Sequence, residues 1–166
     1  MIDKAYVITM AKYNSWQNKS LYDAAATLSD EERRQQRGAF FGSIHTTFNH
    51  LLWADRVWLD RFLGEGAFQM APKDGLAMHD SFDELSDVRR ATDTKIERWA
   101  EDLDPNWLKG DLSWYSGLLK KDMSMSKQHL IAHFFNHETH HRGQVHAMLT
   151  MAGAKPEDTD LMLLRV

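Results

Sequence analysis

Apolar residues recur at steps of three and four along four long stretches of the 166-residue chain. This spacing places them on one face of an α-helix, where they can be buried against neighbouring helices. Four amphipathic helices in one short chain predict an all-α fold, a four-helix bundle. The predicted helices cover residues 6–28, 43–63, 81–103 and 126–151.

Residues that start and stop helices stand at the ends of these stretches. Ser29 followed by Glu32, and Ser81 followed by Glu84, have the form of capping boxes. The first of these predicts a short helical segment that ends near Gly38. The predicted stops are Asp104-Pro105 after the third helix and Gly153 after the fourth.

Between the third and fourth predicted helices, residues 107–124 partly alternate between apolar and polar side chains. We expect a small β-hairpin there, inserted into the bundle, with its turn at Trp114-Tyr115-Ser116-Gly117. After the fourth helix, the apolar tail of residues 161–164 is expected to pack back on the bundle. The chain length suits one hydrophobic core, so residues 1–166 are predicted to form a single domain.

Charge and hydrophobicity exclude two classes of partner. The formal net charge is −4 with the two signs interspersed, so the chain lacks the basic surface that binds a nucleic-acid backbone. No apolar run approaches the roughly 18 residues of a membrane span, and no apolar segment follows a basic start at the N-terminus. We therefore expect a cytoplasmic protein that binds neither nucleic acid nor membrane.

Nine His and no Cys are the unusual part of the composition. Without Cys, the chain cannot form disulfides, cysteine nucleophiles or thiolate-bound zinc and iron–sulfur sites. A metal ion would need His, Asp or Glu ligands. Five of the nine His lie between His129 and His141 on the fourth predicted helix, and a sixth follows at His146.

The angular position of each His around the axis of that helix distinguishes the inward-facing His from the outward-facing ones. At about 100° per residue, His137 and His141 point toward the apolar arc that includes Phe134 and Val145. Two polar rings in an apolar core need a partner, and rings four residues apart on one face can share a metal ion. The remaining four, at positions 129, 133, 140 and 146, are interpreted as solvated or capping residues.

The segment His137-Glu138-Thr139-His140-His141 also matches H-E-x-x-H, the zinc-binding motif of metalloproteases. The extended form of that motif places a Gly three residues and a His six residues after the second His. Here Gly143 and His146 each stand one position too close to His141 to match that form. No multi-stranded sheet is predicted that could bind an extended peptide, so a protease is the weaker alternative.

A third ligand must come from another helix, and the second predicted helix offers His45, His50 and Asp55. Five residues separate each from the next, a rotation of about 140° that prevents all three from sharing a face. Because this helix is apolar nearly all round, either face can be buried. The residues alone leave the choice open.

Three segments resemble the DinB-like (DinB/YfiT) metal-binding bundles: YNSWQN at 13–18, NHLLWADRVWLDRF at 49–62 and NHETHHRGQV at 136–145. The resemblance runs from the first helix to Gly153. It implies a three-His site for a divalent ion, most often zinc or nickel, formed here by His50, His137 and His141. It also implies pairing as a homodimer.

Some members of this family are S-transferases that use a low-molecular-weight bacterial thiol, so the resemblance implies a metal-dependent enzyme of the S-transferase or hydrolase type. Its substrate would be a small molecule. Because this chain has no Cys, the sulfur would have to arrive with a thiol cosubstrate. The alternative is a metal-binding stress-response protein without turnover.

Four further residues are candidates for supporting roles. Asp55 and Glu138 lie on apolar helix faces, where each could orient a His ligand by accepting its second ring N–H. Alternatively, each carboxylate pairs with an Arg or caps a Trp N–H. Asn14 and Gln17 on the first helix face the bundle and are expected to line the pocket.

Overall fold

The computed structural model describes residues 2–117 and 119–164. This part of the chain forms six α-helices, two β-strands and two short 3-10 turns, at Pro105–Leu108 and Leu161–Leu163. The helices are α1 (Lys4–Ala26), α2 (Asp30–Arg34), α3 (Ile44–Leu63), α4 (Pro72–Gly75), α5 (Phe82–Asp102) and α6 (Lys127–Met151). The strands are β1 (Asp111–Ser116) and β2 (Lys121–Ser126).

Side-chain caps begin the four long helices. Asp3, Ser43, Ser81 and Ser126 each accept a hydrogen bond from the backbone N–H three residues ahead. The capping box predicted at Ser29 is complete, because Glu32 also accepts from the Ser29 N–H. At Ser81, only half of the predicted box forms, since the Glu84 carboxylate lies 3.0 Å from His79 Nδ1 instead.

Two apolar clusters fill the two ends of the bundle. One cluster joins the ends of α1 and α6 to the starts of α3 and α5. The other joins the starts of α1 and α6 to the ends of α3 and α5. Helices α1 and α6 therefore run in one direction, and α3 and α5 in the other. Because α3 and α5 are parallel, residues 64–81 must return along the length of the bundle.

Polar side chains of α3 hold this returning connection. Asp60 Oδ1 accepts from the N–H groups of Ala67 and Phe68, at 2.9 and 3.1 Å. The Asn49 side chain exchanges two hydrogen bonds with the backbone of His79, at 2.8 and 3.0 Å. These contacts satisfy buried polar groups that the long connection would otherwise leave unpaired.

The β-hairpin was predicted, but its turn was misplaced. The ladder runs from Asp111↔Ser126 to Ser116↔Lys121, so the chain reverses at 117–120 rather than at 114–117. Leu118 lies outside the described residues. Trp114 stays in β1 because its side chain is directed at the bundle, where its ring lies 5.5 Å from that of Trp58.

The C-terminal tail also differs from the prediction. Leu161, Met162 and Leu163 are 44%, 88% and 48% exposed and Leu164 is half-buried, so none of the four joins the buried apolar clusters. The polar residues before them are bound to α1 instead, because its side chains satisfy their backbone groups. Tyr13 Oη donates to Thr159 O at 2.6 Å, and Ser20 Oγ accepts from Glu157 N at 2.8 Å.

The prediction of an all-α four-helix bundle with a small hairpin between the third and fourth long helices is confirmed. In the described part of the chain, none of the helices has the length and apolar character needed to cross a membrane.

Candidate metal centre

Three His rings meet where the middle of α3 faces the middle of α6. His50 projects from α3, and His137 and His141 project from successive turns of α6. Each offers one ring nitrogen, and these three atoms all lie within 4.8 Å of one another. Nε2 of His50 lies 3.0 Å from Nε2 of His137. The structure thus brings together the three His that the family resemblance singled out.

All three rings are held in their neutral form. Burial, and then the neighbouring His137 and His141, lower the pKa of His50 from its ordinary 6.5 to about 3. Burial is also the largest cause that lowers the pKa of His137 and of His141. At neutral pH each ring therefore keeps one unprotonated nitrogen, and neutral imidazole is the form that binds a metal ion.

Gln144 orients His141. Its Oε1 lies 2.9 Å from His141 Nδ1 and accepts the proton there, which leaves the lone pair on Nε2. Gln144 was not among the residues predicted from the sequence. The sequence feature that could have identified it is its position three residues after His141, on the same face of the helix.

Aromatic rings surround the centre on the α3 side. The Phe41 ring lies 3.9 Å from the His50 ring, inclined by 31°, and 5.2 Å from the His141 ring. The Trp53 ring lies 6.0 Å from His50. The sequence offered no way to find Phe41, because it precedes α3 and reaches the centre only through the turn that leads into that helix.

The two predicted carboxylates lie behind the centre rather than on the ligands. Asp55 and Glu138 are both 0% exposed. Asp55 Oδ2 lies 2.6 Å from Arg89 Nη1, which is the Arg pairing considered as the alternative. Glu138 Oε1 lies 3.6 Å from His137 Nδ1, beyond hydrogen-bond distance. Neither carboxylate accepts a ligand N–H in this structure.

These carboxylates belong to a buried belt of charge between the two apolar clusters. Arg89 Nη2 lies 2.8 Å from Asp93 Oδ1, which also accepts from Asn18 Nδ2 at 2.9 Å. The belt thus connects α1, α3, α5 and α6. Burial, and then the charge of Glu138, raise the pKa of Asp55, so a proton on one member of this carboxyl pair is favoured.

The remaining candidates have other surroundings. Asn14 is 1% exposed, and neither amide atom finds a hydrogen-bond partner among the described residues. Its place in the pocket lining stays a prediction. Gln17 is buried too, but its Nε2 donates to Asp158 O at 3.0 Å and so holds the C-terminal segment.

The three candidates on α3 lie in different surroundings. His45 Nε2 lies 3.0 Å from His79 O, and Asp55 binds Arg89, so of the three candidates His50 joins the cluster. On α6, the His residues assigned to the polar flank stay outside it: 129, 133 and 140 are exposed and 146 is half-buried.

Comparison with known proteins identifies the family of the chain. The sequence model of the DinB family matches residues 1–165. Protein DinB from Bacillus subtilis (strain 168) is 26% identical over 167 aligned residues, which cover 93% of this chain and 91% of that protein. No solved structure matches the chain. The match over nearly the full length confirms the resemblance inferred from the three segments, and the chain belongs to the DinB family.

Proposed function

We propose that this protein binds a divalent transition metal ion, zinc or nickel, through His50, His137 and His141. The observation that supports this is the convergence of three ring nitrogens within 4.8 Å. Three neutral nitrogen ligands suit either ion. They leave its charge intact and at least one coordination position open, which is the pattern of catalytic rather than structural zinc sites.

We further propose that the site serves a thiol-dependent S-transferase or a hydrolase acting on a small molecule. When bound, the ion supplies Lewis acidity, which lowers the pKa of a water or thiol brought to it. The chain itself positions the three His rings, keeps them unprotonated by burial, and fixes the His141 tautomer through Gln144. Because it has no Cys, the thiol is a cosubstrate.

The burial of Glu138 argues against a metalloprotease. In that mechanism, the Glu of H-E-x-x-H must reach a water molecule at the metal ion. Here the Glu138 carboxyl is 0% exposed and lies with Asp55 in the interior. The described sheet is a two-stranded hairpin whose residues are exposed or half-buried, rather than a platform for an extended peptide.

Metal titration tests the binding proposal. The protein is purified without a His-tag, and its zinc and nickel contents are measured by elemental analysis before and after titration. We expect one equivalent in the wild type and a large loss of affinity in His50→Ala, His137→Ala and His141→Ala. His129→Ala is the matched control, since this exposed His lies outside the cluster. Full metal content in His50→Ala would overturn the three-His assignment.

Turnover is tested separately with the metal-loaded protein and a panel of low-molecular-weight thiols and electrophilic or hydrolysable small molecules. Catalysis at this centre should disappear in His50→Ala and persist in His129→Ala. Full metal content without turnover on any combination would instead support a non-catalytic metal-binding protein.

A further inference from the structure

The turn that leads into α3 has a tightly defined backbone. Arg37 N donates to Gly42 O and Gly42 N donates to Ala39 O, both at 2.8 Å. Gly42 has φ +81°, a conformation that L-residues rarely adopt, and a Cβ there would lie 2.1 Å from Gln36 Oε1. The positive φ favours Gly at this position, and Phe40 and Phe41 stand directly before it in the turn.

The two Phe rings differ in what they contact. The Phe41 ring is tilted by 31° to the His50 ring, with 3.9 Å between the two centroids, and its centroid lies 5.2 Å from that of His141. Phe40 is 80% exposed and meets Phe41 edge-on at 4.8 Å. One ring thus covers two of the three clustered His, one from each of the two helices that supply them.

We propose that Phe41 is a positioning residue that shields the metal centre. By stacking on His50 and contacting His141, it holds the two rings in their converging orientation and limits access of water and chelators to them. This role is distinct from metal ligation and rests on the proposed metal binding. Through Phe41, the turn before α3 would help to retain the ion.

The effect of Phe41 on an imidazole ligand follows from ordinary stacking. An aromatic pair of this kind contributes a free energy that corresponds to about a three- to tenfold change in an equilibrium constant or a rate constant. Removal of the ring should therefore increase the rate of metal release by about that factor, without abolishing metal binding.

The test uses cobalt(II) as the probe in the wild type, Phe41→Ala, Phe41→Tyr and Phe40→Ala. We measure the rate at which excess EDTA removes cobalt and the visible absorption of the bound ion, which reports its coordination. Phe41→Ala should release cobalt about three- to tenfold faster and show a weaker absorption as water enters. Phe41→Tyr should restore both properties, and Phe40→Ala should match the wild type.

A metal-free measurement separates this inference from the proposed function. In the metal-free wild type, the Phe41 ring should displace the NMR signals of the His50 ring protons, and Phe41→Ala should remove that displacement. Unchanged His50 signals, or equal cobalt release rates in the wild type and Phe41→Ala, would overturn the role of Phe41. Failure of the wild type to bind cobalt, zinc or nickel would instead overturn the metal-binding proposal.

Discussion

At the scale of single residues, the orientation of each imidazole decides whether it can act as a ligand. His141 is oriented by one identified contact, the 2.9 Å hydrogen bond to Gln144 Oε1. His140 shares the same amide, since Gln144 Nε2 lies 3.2 Å from its Nε2. Gln144 is therefore fixed from two sides, and its amide cannot rotate freely to the opposite orientation.

Replacement of Gln144 should weaken metal binding more than it weakens the fold. Loss of a partner that orients a ligand typically costs about 10- to 100-fold in metal affinity. We expect a decrease of that size in Gln144→Leu, measured by competition with a coloured zinc chelator. Gln128→Leu, on the same helix and outside the cluster, is the control. Equal affinities in the two variants would show that His141 does not depend on this bond.

The low pKa of His50 predicts that acid destabilises the metal-free protein. The folded state keeps His50 neutral down to about pH 3, whereas the unfolded chain takes up a proton near pH 6.5. Stability should therefore be lost as the pH falls below about 6.5. Urea unfolding at pH 7 and pH 5 measures this loss, which should be smaller in His50→Asn and unchanged in His129→Asn.

At the scale of elements, the charged belt constrains how the four long helices can pack. Arg89 is 2% exposed and joins Asp55 on α3 to Asp93 on its own helix, while Asn18 joins Asp93 to α1. A shift of α3 along the bundle would separate Asp55 from Arg89 and would also carry His50 away from α6. We therefore expect the belt to keep His50 in register with the two clustered His of α6.

Removal of Arg89 should destabilise the protein strongly. Arg89→Met preserves much of the volume but leaves two carboxylates buried without their cation, which typically costs about 3–5 kcal/mol. Denaturant unfolding measures the change. Arg90→Met is the control, because Arg90 pairs with Asp87 on the exposed surface, and its loss should change stability by less than about 0.5 kcal/mol. A small effect at Arg89 would show that the belt does not hold the helices.

Local patterns predicted the elements better than the contacts between them. The helices and their Ser caps follow from spacing and cap chemistry, which act over a few residues. The hairpin turn was misplaced because Trp114 was interpreted as part of a turn, whereas it pairs with Met123 in the ladder and contacts Trp58 on α3. Phe41 and Gln144 depend on ring and amide contacts that apolar periodicity does not encode.

At the scale of the whole molecule, the three clustered His come from two helices that are far apart in the sequence, α3 and α6. His50 and His137 are 87 residues apart in the chain. Their approach depends on the complete bundle, so the site should not form in the unfolded chain. Any ion it holds should then stabilise the native state by mass action.

Metal should therefore raise the free energy of unfolding of the wild type. At a free ion concentration 100 times the Kd, the expected gain is about 2.7 kcal/mol. Thermal or urea unfolding with and without zinc or nickel measures it. His50→Ala should show little or no gain, and an equal gain in this variant would place the stabilising ion elsewhere.

The 87-residue separation has a further consequence for a chain without Cys. An ion shared by His50 and His137 would close a long loop, as a disulfide does, but only in the folded chain, because the three rings do not meet in the unfolded one. Unlike a disulfide, this cross-link would respond to the concentration of free metal rather than to the redox state of its surroundings.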